Sequence, residues 1–328
     1  MLYKCFEIES LMNRAGTERV PFLFGLDFEM EDGFFIENPM LQNEILFEVE
    51  GVGNYNNMSC SDTPHITHAN KLELFPEDYS TYKKRFDIVM EGLSRGDSYL
   101  ANLTIRTPIS TSLSLIDIFK CSSSPYKLYV PHRFVCFSPE CFVKIDEGVI
   151  STYPMKGTID ADIANSEQII LNDEKEKSEH NTIVDLLRND LSRVAWDVVV
   201  KRFRYIDRVN SSRGSLLQVS SEIVGTLGNS YLNEVGSVIF KLLPAGSVSG
   251  APKDATIDII RKAEQQTRGF YTGVAGYFDG ESLNSFVLIR FIERENSELY
   301  FRSGGGITAM SVAENEYREA IQKVYLPF

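Results

Sequence analysis

The sequence predicts an α/β chain of the α+β kind, with antiparallel or mixed sheets and helices packed outside them. Three observations carry this. Apolar residues recur at helical spacing in some segments, as at Tyr82, Phe86, Val89 and Leu93, and alternate in others, as in "SYLANLTIRTPI". Strand and helix patterns are interspersed without the regular alternation of a parallel βαβ protein. The 328 residues, 43% of them hydrophobic, are enough to enclose a large core.

Taken in order, residues 1–70 are loosely patterned. Within them "VPFLFGLDFEMEDGFFIEN" reads as a hairpin turning at Glu-Asp-Gly. Gly51 to His65, "GVGNYNNMSCSDTPH", is turn-rich and expected to be an exposed loop. A helix begins near Pro76 and stops at Gly96, and a strand follows. "RFVCFSPECFVKIDEGVISTYPMKGT" reads as two strands around Asp146-Glu147-Gly148. A helix spans about Ala164 to Ala195 with a break near Asn172, and another lies near Asn233 to Leu242. A third opens at Pro252, a residue favoured at a first helical turn. Strands are expected near Gly273–Phe278, Ser285–Glu293 and Leu299–Gly304, and a last helix from about Val312.

Charge narrows the function. A formal net charge of -13 repels nucleic acid and anionic membranes, so neither is expected as a partner. An anionic substrate would need local cations or a metal. The five cysteines are odd in number and lack CxxC spacing, which fits free thiols in a reducing compartment. No apolar run approaches a membrane span, and the first residues lack a signal-peptide core. A soluble cytoplasmic protein is the expectation.

Lys156 is one lysine inside the uncharged turn-like run "STYPMKGTI". Alone, it reads as a solvated loop lysine. Glu140 lies sixteen residues earlier, and the midpoint, Gly148, falls in the expected turn. A hairpin would bring Glu140 to the Pro154–Lys156 segment. That could build an acid and a nucleophile, or a cross-strand ion pair worth under about 1 kcal/mol. In "EKEKSEHNTIVDLLRNDLSRVA" Glu176 and Glu179 share a helix face above an apolar stripe. Glu316, Glu319 and Lys323 share another, after the run "FRSGGGITA". Solvated helix faces explain both. Brought together, such carboxylates would suit a hard cation such as Mg²⁺. Glycines after a strand are expected to expose backbone N–H groups to a ligand. Gly246, Ser247, Ser249 and Gly250 precede the helix at Pro252 and form a natural anion site. Arg290 follows an apolar strand, so a carboxylate partner is expected for it.

These motifs, in this order from about Ser98 to the C-terminus, resemble the chorismate-utilising enzyme family: "NLT", "SPE", "PMKGT", "EHNTIVDLLRNDLSRV", "GSVSGAPK", "RGFYTG", "VLIR" and "GGGI…EYREA". The resemblance implies two stacked antiparallel sheets with helices outside, and a cleft for chorismate and Mg²⁺. It implies a chorismate-binding core over 71–328, with residues 1–70 a shortened segment adding strands to the same fold. Lysine at 156 is similar to the aminodeoxychorismate synthase large subunits, where anthranilate synthases carry a small residue. The implied reaction joins chorismate and ammonia into 4-amino-4-deoxychorismate, a folate-branch step, through a covalent lysine intermediate. Anthranilate synthesis, or an idle chorismate-binding subunit, are the alternatives.

By position, the resemblance implies Lys156 as nucleophile, Glu140 as general acid and Thr158 near the leaving oxygen. Glu179 and Glu319 match the metal ligands, with Glu176 and Glu316 behind them. Arg290, Tyr271, Lys323 and the backbone of Gly304, Gly305 and Gly306 match the substrate-carboxylate contacts, and Ser249 and Gly250 lie beside them. Burial among small and apolar neighbours is expected to lower the Lys156 pKa, since an amine must be neutral to attack. The chain departs from the family pattern in its shortened first seventy residues, where the usual "LLES" segment is not convincing in "FEIESLMN", and at two positions within the core. Gln218 stands where a histidine is usual, and Leu100 stands where isochorismate synthases carry a lysine base. No glutaminase motif is found, so ammonia is expected from a separate amidotransferase subunit.

Overall fold

The computed structural model describes residues 2–55, 72–211 and 214–328. Two antiparallel sheets account for its strands. The first has ten. It runs β1 (Tyr3–Lys4), β3 (Asp32–Glu37), β2 (Phe22–Leu26), β16 (Val274–Phe278), β17 (Leu283–Val287), β10 (Cys141–Asp146), β11 (Val149–Thr152), β14 (Gly214–Thr226) and β12 (Met155–Asp160), with β13 (Trp196–Ser211) also paired to β14. The second has nine: β15 (Gly250–Ala251), β7 (Leu100–Ser110), β19 (Glu298–Ile307), β18 (Phe291–Glu295), β9 (Phe134–Ser138), β8 (Tyr126–Val130), β4 (Leu46–Val49) and β5 (Val52–Gly53), with β6 (Glu73–Leu74) beside β7.

The sheets meet through one apolar layer. Leu23, Ala275 and Phe286 of the first sheet pack with Phe47, Leu128, Phe134 and Phe291 of the second. Tyr126 stacks on Phe286 with ring centroids 5.1 Å apart. Burying each such ring stabilises the fold by roughly 1.5–3 kcal/mol. Helices cover the outer faces. Helices α1 (Cys5–Glu18), α5 (Glu174–Leu191) and α6 (Val235–Leu242) pack on the first sheet. Helices α2 (Tyr79–Ser94), α8 (Lys253–Glu264) and α9 (Ala313–Gln322) cover β7 and β19, and α3 (Leu115–Cys121) covers the other end of the second sheet. Two short helices, α4 (Ser166–Asn172) and α7 (Gly246–Ser249), complete the set.

Most expected elements form. The β2–β3 hairpin forms, but it turns over Asp27–Glu31, with Asp32 and Gly33 already in β3, and the long helix breaks between Asn172 and Glu174. Helices α1 and α3 and the long β13–β14 hairpin are additions. Two expectations need correcting. The segment from Phe134 to Thr158 is four strands rather than two, because the chain leaves the second sheet after β9 and enters the first at β10. The expected strand Ser285–Glu293 is likewise split. The chain passes from β17 in the first sheet to β18 in the second, and Arg290 takes a left-handed conformation, φ 53°, at the passage. The two crossings are hydrogen-bonded together: Val287 N–H donates to Glu140 O at 3.1 Å and Phe137 N–H to Arg290 O at 3.0 Å. A sheet change with no helix or turn signal is invisible to local periodicity.

Within the expected loop Gly51–His65, Val52–Gly53 forms β5, while residues 56–65 lie outside the described residues. Cys5, Cys121, Cys136 and Cys141 are free thiols, and Cys60 lies outside the described residues. Among the described residues no helix is long and apolar enough to cross a membrane.

Candidate active site

Both crossings open onto one cleft between the sheets. Its polar lobe, about 300 Å³, is lined by Lys156, Thr158, Gln218, Tyr271, Arg290, Gly304, Gly305, Gly306, Glu319 and Lys323. A more apolar lobe, about 130 Å³, is lined by Cys141, Phe142, Tyr153, Pro154, Ile183 and Leu187. Asn102, Glu140, Met155, Lys156, Ser247 and Gly306 line both. The fold thus gathers the expected catalytic pair from one chain segment and the carboxylates from two distant helices.

Lys156 arrives on β12, beside a bulge where β12 pairs with β14. Gly157 takes φ 89°, a conformation that favours glycine, and Glu176 Oε2 lies 3.1 Å from where a Cβ would be. The β10–β11 register holds from Asp146↔Val149 to Lys144↔Ser151. Beyond Pro154 the chain pairs with β14 instead, so Glu140 and Lys156 share the cleft without being cross-strand neighbours. Lys156 Nζ lies 2.6 Å from Glu179 Oε2. Burial would lower its pKa, but Glu179, Glu176 and Glu319 outweigh burial and hold it above the usual lysine value. The expected depression is therefore not found in this state, because the carboxylate field exceeds the desolvation cost.

Glu140 has the opposite balance. Burial raises its pKa, and the hydrogen bond from Ser247 and the charges of Arg290 and Lys323 offset this only in part. Ser247 Oγ donates to Glu140 Oε1 at 2.5 Å. Ser247 was legible only as a member of a small-residue run. The structure makes that run a helical turn, α7, which aims Ser247 into the cleft. Ser249 and Gly250 line the apolar lobe too, where Ser249 donates to Ala245 O at 2.8 Å and Gly250 pairs with Ala101. The expected anion site before α8 is occupied from within, since Lys253 pairs with Asp190 at 2.9 Å and donates to Leu242 O at 2.6 Å.

Arg290 donates to the Tyr325 hydroxyl at 3.1 Å rather than to a carboxylate. Tyr271 is buried, and burial pushes its hydroxyl up to about 12, keeping it neutral. Lys323 bridges Glu319, at 2.8 Å, and Gly304 O, also at 2.8 Å. The three glycines are not a loop. They lie within β19, paired to Thr104, Leu103 and Asn102 of β7. Glu316 Oε2 and Glu319 Oε1 each lie 3.7 Å from where a Gly305 Cβ would be, so both α9 carboxylates face this strand. Thr158 is exposed and pairs with Gln218, whose amide contacts Met155 Sδ at 2.7 Å.

Carboxylates of α5 and α9 face each other across Lys156. Burial raises both Glu176 and Glu316. Burial also acts to raise Glu319, but Lys323 and Lys156 reverse it, so that Glu319 ends below its usual value. Glu176 Oε2 is buried with no partner. An orphaned carboxylate oxygen in an all-oxygen donor set fits a hard cation, which takes one or two carboxylates and completes its shell with water and ligand oxygens. Among the described residues no three metal-ligating side chains are already gathered as a complete set. His180, next to Glu179, was not singled out from sequence. It is fully buried, and burial and Arg204 push it down to about 4, so its imidazole is neutral.

A mixed-lined cleft between stacked sheets, with a lysine, a buried acid and opposed carboxylates, defines a chorismate-converting enzyme once the comparisons are added. Residues 42–327 match the chorismate binding enzyme family, and the chain belongs to it. An uncharacterised PabA-like protein of Pasteurella multocida is 48% identical over 96% of each chain. Aminodeoxychorismate synthase component 1 of Bacillus subtilis is 30% identical over 76% of this chain and 55% of its own length. The menaquinone-specific isochorismate synthase of Escherichia coli shares the fold, with a TM-score of 0.74 at 14% identity over 98% of this chain and 82% of that one.

Proposed function

We propose that the protein converts chorismate and ammonia into 4-amino-4-deoxychorismate, as an aminodeoxychorismate synthase component I. The observation that carries this reading is a lysine, Lys156, presented to the cleft opposite a buried acid, Glu140. The 30% identity to the Bacillus subtilis synthase component supports it. In this reading residues 71–328 hold the chorismate-binding core, and residues 1–70 complete its sheets.

Arg290, Tyr271 and Lys323 would seat the substrate carboxylates, beside the Gly304–Gly306 backbone. Lys156 Nζ, once deprotonated, attacks C2 of chorismate. Both conjugated ring double bonds shift, C1=C2 to C1=C6 and C5=C6 to C4=C5, and the C4–oxygen bond breaks, while Glu140 gives its proton to the departing hydroxyl. Ammonia then forms the C4–nitrogen bond, both double bonds return, and the C2–lysine bond breaks. Glu140 is suited to its part because burial keeps it protonated beyond the usual carboxylate range. Lys156 is held charged by Glu179, Glu176 and Glu319, so its activation requires that field to be offset. Glu179 and Glu319, backed by Glu176 and Glu316, would hold Mg²⁺, which when bound would neutralise that field and withdraw charge from the substrate carboxylate. Gln218, in place of a histidine, can position a group by hydrogen bonding but cannot act as an acid. The ammonia source in this reading is a separate glutamine amidotransferase, in the cytoplasm.

Incubation with chorismate, Mg²⁺ and ammonium tests it. The expected product yields 4-aminobenzoate only when a separate lyase is added. Anthranilate as the main product would overturn the reading.

A further inference from the structure

One fully buried side chain outside these roles touches both elements that create the Lys156–Glu179 contact. His180 follows Glu179 on α5, and its Nε2 lies 2.7 Å from Ser221 Oγ on β14. That oxygen also accepts the Arg204 N–H at 2.9 Å. The Ser221 N–H in turn donates to Pro154 O at 3.0 Å, two residues before Lys156. Arg204 sits in the left-handed region, φ 47°, among the bulges of β13. Its guanidinium donates to Leu171 O at 2.9 Å and to Ile170 O at 3.2 Å, at the end of α4. The other ring nitrogen, Nδ1, is buried without a hydrogen-bond partner, and the ring lies beside the Lys156 backbone.

Either ring tautomer can use Ser221 Oγ, which accepts the Arg204 N–H and keeps both its own proton to give and a second lone pair to share with Nε2. In a dry interior such a chain is strong and directional. We propose that His180, through Ser221, is a positioning residue that locks the carboxylate face of α5 onto the strand bearing Lys156 and so sets the Lys156–Glu179 contact. Its kinetic consequence rests on the reading of Lys156 as nucleophile; its geometric consequence does not.

Zero-length carbodiimide cross-linking of the whole chain reads the geometry without activity. Peptides joined through Lys156 and Glu179 are quantified by mass spectrometry against those joined through Lys323 and Glu319, a contact of 2.8 Å within α9 and its cap. His180→Leu and Ser221→Ala should each lower the first yield about tenfold and leave the second unchanged. His180→Gln, whose amide can reach Ser221, should restore it. Loss at both contacts alike, or at neither, overturns the proposal. In chorismate consumption the same His180→Leu variant should lose about 10–100-fold in kcat with KM little changed. A rise in KM alone would also overturn it. Chorismate consumed without the 4-amino product would sink the functional reading, yet the cross-link ratio would still decide His180.

Discussion

Helix α5 holds a lysine near each end. In its second turn Glu179 meets Lys156 at 2.6 Å, and in its last turn Asp190 meets Lys253 at 2.9 Å. The pairs use the same chemistry, and burial is the first influence on both lysines. Yet Lys156 is held above its usual pKa and Lys253 below it. The neighbours decide the sign. Lys156 feels Glu179, Glu176 and Glu319 together, whereas Lys253 has Asp190 with Arg193 pushing the other way. Exposure differs as well: 33% for the Lys156 side chain and 11% for Lys253. One pair closes an internal joint, with Lys253 Nζ held by both Asp190 and Leu242 O. The other leaves an excess of negative charge at a cleft, which suits a site that recruits a cation and an anionic substrate. A Lys–carboxylate distance alone does not separate structure from function.

The sharpest way to break this comparison is to remove each amine in turn. Lys156→Met should lower kcat by at least about 10⁴-fold with the melting temperature nearly unchanged. Lys253→Met should leave Asp190 buried and unpaired and cost about 3–5 kcal/mol, read as a lower denaturation midpoint. Reversal of these outcomes would mean that the two pairs have been assigned to the wrong tasks.

Next in size is Glu140→Gln, which should lower kcat by about 10²–10³-fold and abolish the fall in rate at high pH, as measured by a pH–rate profile. Ser247→Ala is subtler. The Ser247 hydrogen bond lowers the Glu140 pKa against burial, so removing it should raise that pKa further. The general acid would then stay protonated to higher pH, and the alkaline limb should move alkaline; an acid shift would contradict the arrangement.

The smallest effect lies away from the cleft. Burial raises Asp27 from 3.8 to about 6. A carboxyl raised in the folded state stabilises the fold at low pH, and that contribution is lost as pH rises through the same interval. Asp27→Asn should flatten this part of the stability–pH curve in chemical denaturation, leaving the cleft chemistry untouched.

Much of the scaffold was legible because periodicity is local. The stripe of Val184, Leu187, Leu191 and Val194 marked the buried face of α5: the first three are buried, and Val194, past the helix end, is half-buried. Tyr82, Phe86, Val89 and Leu93 did the same for α2. Helix α1 escaped notice although Ile8, Met12 and Ala15 are buried at helical spacing. Its Gly16 resembles a breaker in sequence, but here it lets the helix approach Leu232, whose carbonyl would lie 2.2 Å from an added Cβ. In the cleft, residue types were readable and partners were not. Arg290 looked like half of an ion pair and donates to Tyr325, and Glu140 takes its hydrogen bond from Ser247, which the sequence offered only as one of a small-residue run.

The sequence by itself determined the apolar faces of α2 and α5 and which acids and amines were available for a site. Tertiary structure alone decided that Glu140 and Arg290 sit at two adjoining sheet crossings, and that the Lys156 amine is charged. Side-chain periodicity depends on a few neighbouring residues. Sheet membership and electrostatic field depend on groups far apart in the chain, such as Glu179 and Glu319, whose effect on Lys156 exists only once α5 and α9 are folded against it.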